Sequence, residues 1–304
     1  MEKMFFCLAF GMRSITFFLL LTSFTAWCQD DLLGELEKSN APESENTFAT
    51  FKGTRIVNGH SVETKPGGTL EFIFAHRFGA INTGWYDMFG LDQAFVRIGL
   101  DYGITDRLSV AFGRNSINKT LDWYGKYKIL EQQTGKRNVP FTLTGLAGLA
   151  FRLEPKHNSD VTPAIETTDR LAYTGLLMFA RKFTSALSLQ LMPTIIHKNL
   201  VNQDFEKNTQ FAMGVGGRLK LTPSMAFTGE YYHNLSRMDN SPYHNSLGFG
   251  VDIETGGHVF QLVLTNAIGL TERAFITETT DDFFDGDIHF GFNVTRTFQL
   301  KKPR

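Results

Sequence analysis

Three serine–histidine combinations in this sequence carry the side chains of a nucleophile and its base. They are His60 with Ser61, His233 with Ser236, and His244 with Ser246. An esterase also needs a group that orients the histidine and donors for the oxyanion, all within hydrogen-bonding distance. His244 and Ser246 share a strand face, with Asn234 and Asn245 nearby, but no wider motif surrounds them. We therefore predict that the protein is not an enzyme, with a hydrolase as the weaker alternative.

The stretch from Glu278 to Asp287 gathers five carboxylates around a single glycine, Gly286. Oxygen-rich loops can bind calcium, but this loop lacks the alternating ligand spacing of an EF-hand. A solvated acidic loop is the preferred interpretation and a calcium site the alternative. His197, His258 and His289 have no paired spacing typical of a transition-metal site, so no metal and no cofactor is predicted.

A larger set of charged side chains falls on one face of the segments described below. Its members are Arg97, Asp101, Lys126, Lys128, Arg152, Lys182, Lys198, Arg218, Lys220, Glu230, Asp252 and Glu254. Lysine and arginine dominate the middle of this set, and acidic residues follow toward its C-terminal end. If these residues line a water-filled lumen, they create a transverse field across it. The alternative is cross-strand pairing that only satisfies buried charge.

The segments that carry these residues alternate in polarity with a period of two, the periodicity of a β-strand. In the last segment Phe290, Phe292 and Val294 share one face, while Gly291 and Asn293 share the other. Such alternation recurs at 69–78, 94–104, 108–115, 120–130, 141–153, 171–183, 187–199, 208–221, 225–233, 246–254, 258–266 and 287–298. These segments predict twelve strands and no long helix.

The connections between these strands alternate between short and long, apart from a short link after the third strand and a moderate link, residues 131–140, after the fourth. Residues 105–107 and 222–224 form short links, whereas residues 79–93 and 267–286 form long ones. This is the layout of a bacterial outer-membrane barrel. We predict an all-β fold, a twelve-stranded antiparallel transmembrane β-barrel over residues 67–304. A soluble sandwich or lipocalin-like barrel is the alternative, but the polar faces are rich in Gly and Ala and suit a narrow lumen.

The first 28 residues are typical of a secretory signal peptide, with Lys3 and Arg13 before the apolar stretch 15–21 and a small residue at Ala26. A lipoprotein cysteine at Cys28 and an N-terminal membrane anchor are weaker alternatives, and Met12 is a second candidate start. The formal charge of −1 gives no electrostatic basis for binding nucleic acid. Both cysteines lie within these 28 residues, which excludes cysteine chemistry in the rest of the chain.

Residues 29–66 form a separate N-terminal segment, acidic at first and then unexpectedly apolar. Phe51, Ile56 and Val57 are too apolar for a free tail, and turn residues follow them at Asn58-Gly59. We predict that this part folds as a plug into the lumen or its mouth, with Arg55 pairing an inward acid. Asp101, Asp252 and Glu254 are examples of such acids. The alternative is that the segment docks a periplasmic protein partner.

Several phrases of the sequence resemble a known family. They include the run from Phe51 to Glu63, His76-Arg77-Phe78-Gly79, Phe89-Gly90-Leu91-Asp92-Gln93 and the run from Gly99 to Leu108. They resemble a family of Bacteroidota β-barrel proteins catalogued as a domain of unknown function, over nearly the whole chain after residue 28. The resemblance implies an outer-membrane barrel of a Gram-negative bacterium. It implies no activity and no catalytic residues.

Together these observations predict an outer-membrane barrel, in contact with lipid, that passes or binds a small solute. The alternative function is a non-transporting barrel that serves an envelope assembly as a structural or docking partner.

Overall fold

The computed structural model describes residues 45–136, 138–153, 166–255 and 258–301. Twelve antiparallel strands close into a barrel in which each strand pairs with its neighbours in the chain and the last pairs with the first. The strands are β1 (Thr69–Ala80), β2 (Ala94–Gly103), β3 (Leu108–Asn115), β4 (Thr120–Leu130), β5 (Thr142–Arg152), β6 (Leu171–Lys182), β7 (Leu187–Lys198), β8 (Thr209–Lys220), β9 (Met225–Asn234), β10 (Ser246–Thr255), β11 (His258–Thr265) and β12 (His289–Gln299). The predicted fold class is confirmed.

Alternation along each strand separates an apolar outer face from a buried inner face. In β7, Leu189 and Leu191 are exposed on the outside, whereas Ser188 and Gln190 are buried inside. The barrel closes where β12 pairs with β1, with Phe74 opposite Val294. These segments form strands because a strand directs alternate side chains to opposite faces. One face then contacts the apolar surroundings of the barrel and the other its crowded interior.

The connections place short turns on one rim of the barrel, together with a moderate link at residues 131–141, and mostly longer loops on the other. We call these the short-turn rim and the long-loop rim. The link after β3 is short although it lies on the long-loop rim. There Asn118 and Lys119 adopt positive φ angles of 51° and 45°, and the Asn115 carboxamide accepts a hydrogen bond from the backbone N–H of Ile117 at 3.0 Å. This compact turn explains a link that the alternating loop pattern left unexplained.

Two small elements supplement the barrel. The two-residue strands Glu45–Asn46 and Gln133–Thr134 pair with each other, an element that the sequence pattern did not predict. A short helix, α1 (Glu272–Thr277), lies in the loop between β11 and β12. Within the described ranges, no helix is long and apolar enough to cross a bilayer.

The core of the protein lies inside the barrel. Residues 51–64, which we call the inner hairpin, contribute Ile56, Val57 and Val62 to it. Residues 266–288, which we call the inner loop, contribute Phe275 and Ile276. The lumen is therefore occupied by two segments, one that precedes β1 and one that connects β11 with β12. These two segments determine what the interior can bind.

Candidate functional site

The inner hairpin turns at Ile56–Gly59, where the backbone N–H of Ile56 donates to the carbonyl of Gly59 at 2.8 Å. Arg55 and His60 form an antiparallel bridge below this turn. Ile56, Val57 and Val62 are almost completely buried, with exposed fractions of 0%, 1% and 0%. The turn residues Asn58-Gly59 thus form a hairpin tip, and its apolar side chains are buried inside the barrel.

Glycines on the inner wall make room for these side chains. A Cβ atom at Gly216 would lie 2.5 Å from Cδ1 of Ile56, and one at Gly248 would lie 3.0 Å from Cγ1 of Val57. On the hairpin itself, a Cβ atom at Gly59 would lie 2.9 Å from Cζ of Tyr232. Larger side chains at these positions would overlap the neighbouring atoms, so hairpin and wall fit each other closely.

Glu230 on β9 binds the tip of the hairpin through backbone amides. Its carboxylate accepts hydrogen bonds from the N–H groups of Val57 at 3.1 Å, Asn58 at 2.7 Å and Gly59 at 3.0 Å. Within the described residues Glu230 makes no ion pair. Three amide dipoles therefore compensate a buried negative charge.

Lys126 on β4 binds the same hairpin from the other side through carbonyls. Its ammonium donates to the carbonyl oxygens of Thr54 at 3.1 Å, Ser61 at 3.2 Å and Glu63 at 3.1 Å. These bonds connect the two arms of the hairpin to one buried cation. In the described part of the chain, Lys126 has no carboxylate within ion-pair distance.

Neutral side chains of the wall complete the contacts with the hairpin main chain. Gln190 on β7 donates to the carbonyl of His60 at 2.7 Å and accepts from the N–H of Val62 at 2.8 Å. Further bonds run from Gln261 to the carbonyl of Ile56 at 2.6 Å, from Asn293 to that of Val57 at 3.0 Å and from Thr144 to that of Val62 at 2.8 Å. The wall thus contacts peptide groups along most of the hairpin.

The partner of Arg55 differs from the prediction. Its guanidinium lies 3.1 Å from the carboxylate of Glu272 on α1, not beside an acid of the wall. Asp101 accepts from the Tyr124 hydroxyl and Asp252 from Gln261, while Glu254 pairs with Lys52 at 2.7 Å. Arg55 therefore pairs with an acid inside the barrel, but with none of the three named candidates. The inner loop folds into the lumen, and strand alternation contains no information about the path of a loop.

The remaining predicted charges divide between ion pairs, hydrogen bonds and the rims. Arg97 pairs with Asp122 at 2.5 Å, Arg218 with Glu254 at 3.6 Å and Lys128 with Glu63 at 3.5 Å. Lys182 donates to the carbonyl of Phe48 at 2.8 Å, at the short-turn rim. Lys220 lies exposed at the end of β8 and does not line the lumen. The alternation of side chains continues to the end of the strand, beyond the part that the barrel encloses.

The acidic loop is less solvated than expected. Glu278 contacts Arg273 at 2.5 Å, Lys198 at 3.2 Å and Arg152 at 3.5 Å. Burial raises the pKa of Glu278, but these three cations outweigh burial and leave the pKa below its ordinary value. The interpretation as a solvated acidic loop is thus wrong for Glu278, because its loop turns back into the lumen.

The other carboxylates of this loop do not converge on one point. Asp281 and Asp282 pair with His289 at 2.6 Å and His244 at 3.2 Å, respectively. Asp287 accepts a hydrogen bond from Asn82 at 2.5 Å. Across the described ranges, no group of three or more His, Cys, Asp or Glu side chains is arranged to bind a metal ion.

The serine–histidine candidates do not form a nucleophile–base arrangement among the described atoms. Ser61 donates to the carbonyl of Gly53 at 2.6 Å, and Ser236 accepts from the N–H of Phe211 at 2.9 Å. The buried hydroxyl of Ser246 has no hydrogen-bond partner in the described part of the chain, while His244 contacts Asp282. These contacts offer no support for acyl-transfer chemistry.

The sequence interpretation missed several side chains of the lumen. They are Glu71, Arg77, Asp122, Gln190, Gln261 and Glu272. All but Glu272 lie on inner-face positions of the strands, so the period-two alternation itself indicates that they point into the lumen. Glu272 lies in the inner loop, where no periodic signal exists.

A small cavity remains between the inner hairpin and the wall. Its volume is about 40 Å³, and Asn58, Arg77, Arg97, Asp252 and Asn293 contribute to its lining. Such a volume accommodates a few water molecules and is too small for a sugar or an amino acid. In this conformation the cavity therefore has no room for a solute of that size.

Solved structures with a similar barrel are distant. The NanC porin is 10% identical, with a TM-score of 0.47 over 77% of this chain and 100% of that one. The KdgM porin is 9% identical, with a TM-score of 0.46 over 76% of this chain and 99% of that one. The COG4313 outer membrane channel from Pseudomonas putida F1 is 13% identical, with a TM-score of 0.43 over 78% and 98%. These likenesses are too distant to carry an argument about function.

No protein with a curated description matches this sequence significantly. The sequence does match a family over most of its length, from residue 51 to residue 298. That range begins with the inner hairpin and ends in β12, so it includes both the hairpin and the barrel wall. The chain belongs to the family described as membrane bound beta barrel domain (DUF5777).

Proposed function

We propose that this protein is an outer-membrane β-barrel that passes a small polar solute and that its inner hairpin closes the lumen at rest. A cleaved signal peptide at residues 1–28 would export the chain. The short-turn rim and the chain termini then face the periplasm, as in bacterial barrels of this layout. The barrel wall contacts outer-membrane lipid through its apolar outer face.

One observation carries this proposal: the hairpin fills a charged lumen, and buried charged side chains of the wall bind its peptide groups by hydrogen bonds. Glu230 and Lys126 are buried charges that bind hairpin peptide groups instead of each other. If the hairpin leaves, these charges line a space that water can enter. A wall needed only for support could pack around apolar side chains at lower cost, because buried charges are expensive to desolvate.

A disulfide between hairpin and wall tests the closing role. Cysteines at Val57 and Gly248 suit such a bond, because a Cβ atom at Gly248 would lie 3.0 Å from Cγ1 of Val57. In planar bilayers we expect the full-length double variant to conduct rarely when oxidised and to recover wild-type openings after reduction. The single variant Val57→Cys is the matched control and should not respond to the oxidant.

Displacing the hairpin tests the same role in the opposite direction. In Gly59→Val the new side chain overlaps the Tyr232 ring, so the tip cannot pack as it does in the wild type. We expect the conducting fraction of time to rise several-fold over the wild type. Equal conductance of the wild-type, oxidised and Gly59→Val proteins would contradict the proposal, provided that heat-modifiable gel migration shows a closed barrel in each.

The second candidate function is a non-transporting barrel that docks a protein partner. It is favoured by the exposed aromatic side chains near the long-loop rim, where Trp85, Tyr86 and Phe284 are 74%, 93% and 85% exposed. Exposed aromatic groups of this size are typical of binding surfaces. A barrel that never conducts with its hairpin displaced, but copurifies with a fixed partner through these residues, would support this role.

A further inference from the structure

The inner hairpin is bound to the wall largely through its main chain. Wall side chains form hydrogen bonds with carbonyl or N–H groups at most positions from Thr54 to Glu63. Peptide groups are the same in every sequence. Most of these contacts are therefore available to any chain with the same backbone path.

Gln190 shows this recognition most clearly. Its carboxamide donates to the carbonyl of His60 and accepts from the N–H of Val62, two residues further along the same arm. A neighbouring β-strand binds an extended chain with the same pair of donor and acceptor. The side chain of Gln190 thus replaces a strand edge at this point of the wall.

The two buried charges need a ligand that both donates and accepts. Glu230 requires N–H or O–H donors, and Lys126 requires carbonyl or other oxygen acceptors, because neither has an ion-pair partner among the described residues. A bare lumen would leave Gln190 and both charges without the hairpin bonds. A solute that replaces the hairpin gains most if it supplies both kinds of group at similar spacing.

We propose that the lumen wall is a binding site for extended peptide main chain and that short peptides are the solutes that replace the inner hairpin. This inference rests on the proposed function and names its solute class. The hairpin then acts as a built-in competitor, and a peptide binds only when the hairpin has left the wall.

Peptide binding to the full-length chain can be measured independently of conductance. The probe is a fluorescently labelled peptide with the sequence of residues 50–64, followed by anisotropy in detergent. We expect the Gly59→Val protein to bind this probe. The oxidised Val57→Cys/Gly248→Cys protein should bind the probe at least about tenfold more weakly, because its cross-linked hairpin blocks the site. If Gly59→Val does not form a closed barrel, Val57→Asp serves instead, because it buries a charged carboxylate at a position that is only 1% exposed.

Main-chain recognition is tested with competitors and with one wall residue. Unlabelled peptides of unrelated sequence should displace the probe, whereas a peptide N-methylated at the positions of Val57, Asn58 and Gly59 should not, because it lacks the donors for Glu230. Gln190→Leu in the Gly59→Val background should weaken binding about tenfold through loss of two hydrogen bonds. Gln210→Leu is the matched control, since Gln210 is buried on the neighbouring strand and bonds Asn234 and Glu206 instead of the hairpin.

The possible results separate this inference from the proposed function. Probe binding by a variant that never conducts would support the peptide site and refute passage. Conductance without probe binding would overturn the peptide site and leave the closing role intact. The same conclusion follows if an N-methylated peptide or a neutral oligosaccharide displaces the probe as well as an unmodified peptide does.

Discussion

Arg55 of the inner hairpin and Glu272 of α1 lie 3.1 Å apart inside the barrel, although they reach the lumen from opposite rims. His60, on the other arm of the hairpin, lies 3.0 Å from the same carboxylate. The two chain segments that fill the lumen thus meet at one acid. Movement of either segment breaks a contact that fixes the other, so we expect the hairpin and the inner loop to leave the lumen cooperatively.

Loss of the Lys126 ammonium should loosen the hairpin. Lys126→Met removes three hydrogen bonds to the carbonyls of Thr54, Ser61 and Glu63, which costs at least about 2 kcal/mol for a charged donor. We expect amide exchange in residues 54–63 to accelerate roughly 30-fold, as such a loss of local stability requires. Lys220→Met should leave exchange unchanged, because Lys220 is exposed at the rim. Equal effects of both substitutions would refute this prediction.

A side chain at Gly216 should displace the hairpin by steric overlap. Gly216→Val places its Cβ 2.5 Å from Cδ1 of Ile56, and overpacking of this kind costs about 1–3 kcal/mol. We expect protease sensitivity in the hairpin and longer openings in bilayers. Gly125→Val is the control on the outer face, where nothing lies within 4 Å of the added Cβ. If the hairpin of the Gly216→Val protein resists proteases as well as that of the wild type, the wall has adapted to the new side chain and the prediction is refuted.

Truncation of Phe275 should release the inner loop. Its ring packs against Tyr232 with the centroids 5.2 Å apart and is completely buried, with 0% exposed. Phe275→Ala removes this packing at a cost of about 3–5 kcal/mol, so residues 266–280 should exchange their amides faster. Phe284→Ala, at a side chain that is 85% exposed, should change the exchange little. The prediction fails if residues 266–280 have the same amide protection in the two variants.

Acid should also release the inner loop. Burial raises the pKa of Glu272, but His60 and Arg55 outweigh burial and leave this pKa well below its ordinary value. Because the folded-state pKa values of Glu272 and Glu278 are depressed, both carboxylates stabilise the loop above their unfolded pKa of about 4.3. That stability is lost as the pH falls through the folded pKa values.

We therefore expect amide protection of residues 266–280, corrected for intrinsic exchange, to be constant near neutral pH and to fall below about pH 4. Glu272→Gln removes one titrating group and should weaken this dependence. Protection that does not change on acidification would contradict the role of these carboxylates.

The sequence by itself determined the barrel. Strand β8 illustrates why, since Phe211, Met213 and Val215 alternate with Gln210, Ala212 and Gly214. A period of two with large apolar groups on one face is consistent with a strand between an apolar surrounding and a narrow interior. The short turns then determine the antiparallel order, and the predicted strands agree with the observed ones to within two residues at each end.

Only the tertiary structure decided what occupies the lumen. The apolar content of Ile56 and Val57 indicated that the N-terminal segment must be buried, but the amides that Glu230 binds depend on the hairpin conformation. Glu272 reaches Arg55 through a loop, where side-chain type and spacing do not determine the path of the chain. Alternation is a local property that each strand carries in its own sequence, whereas these contacts join residues more than 170 positions apart and exist only after the barrel has closed.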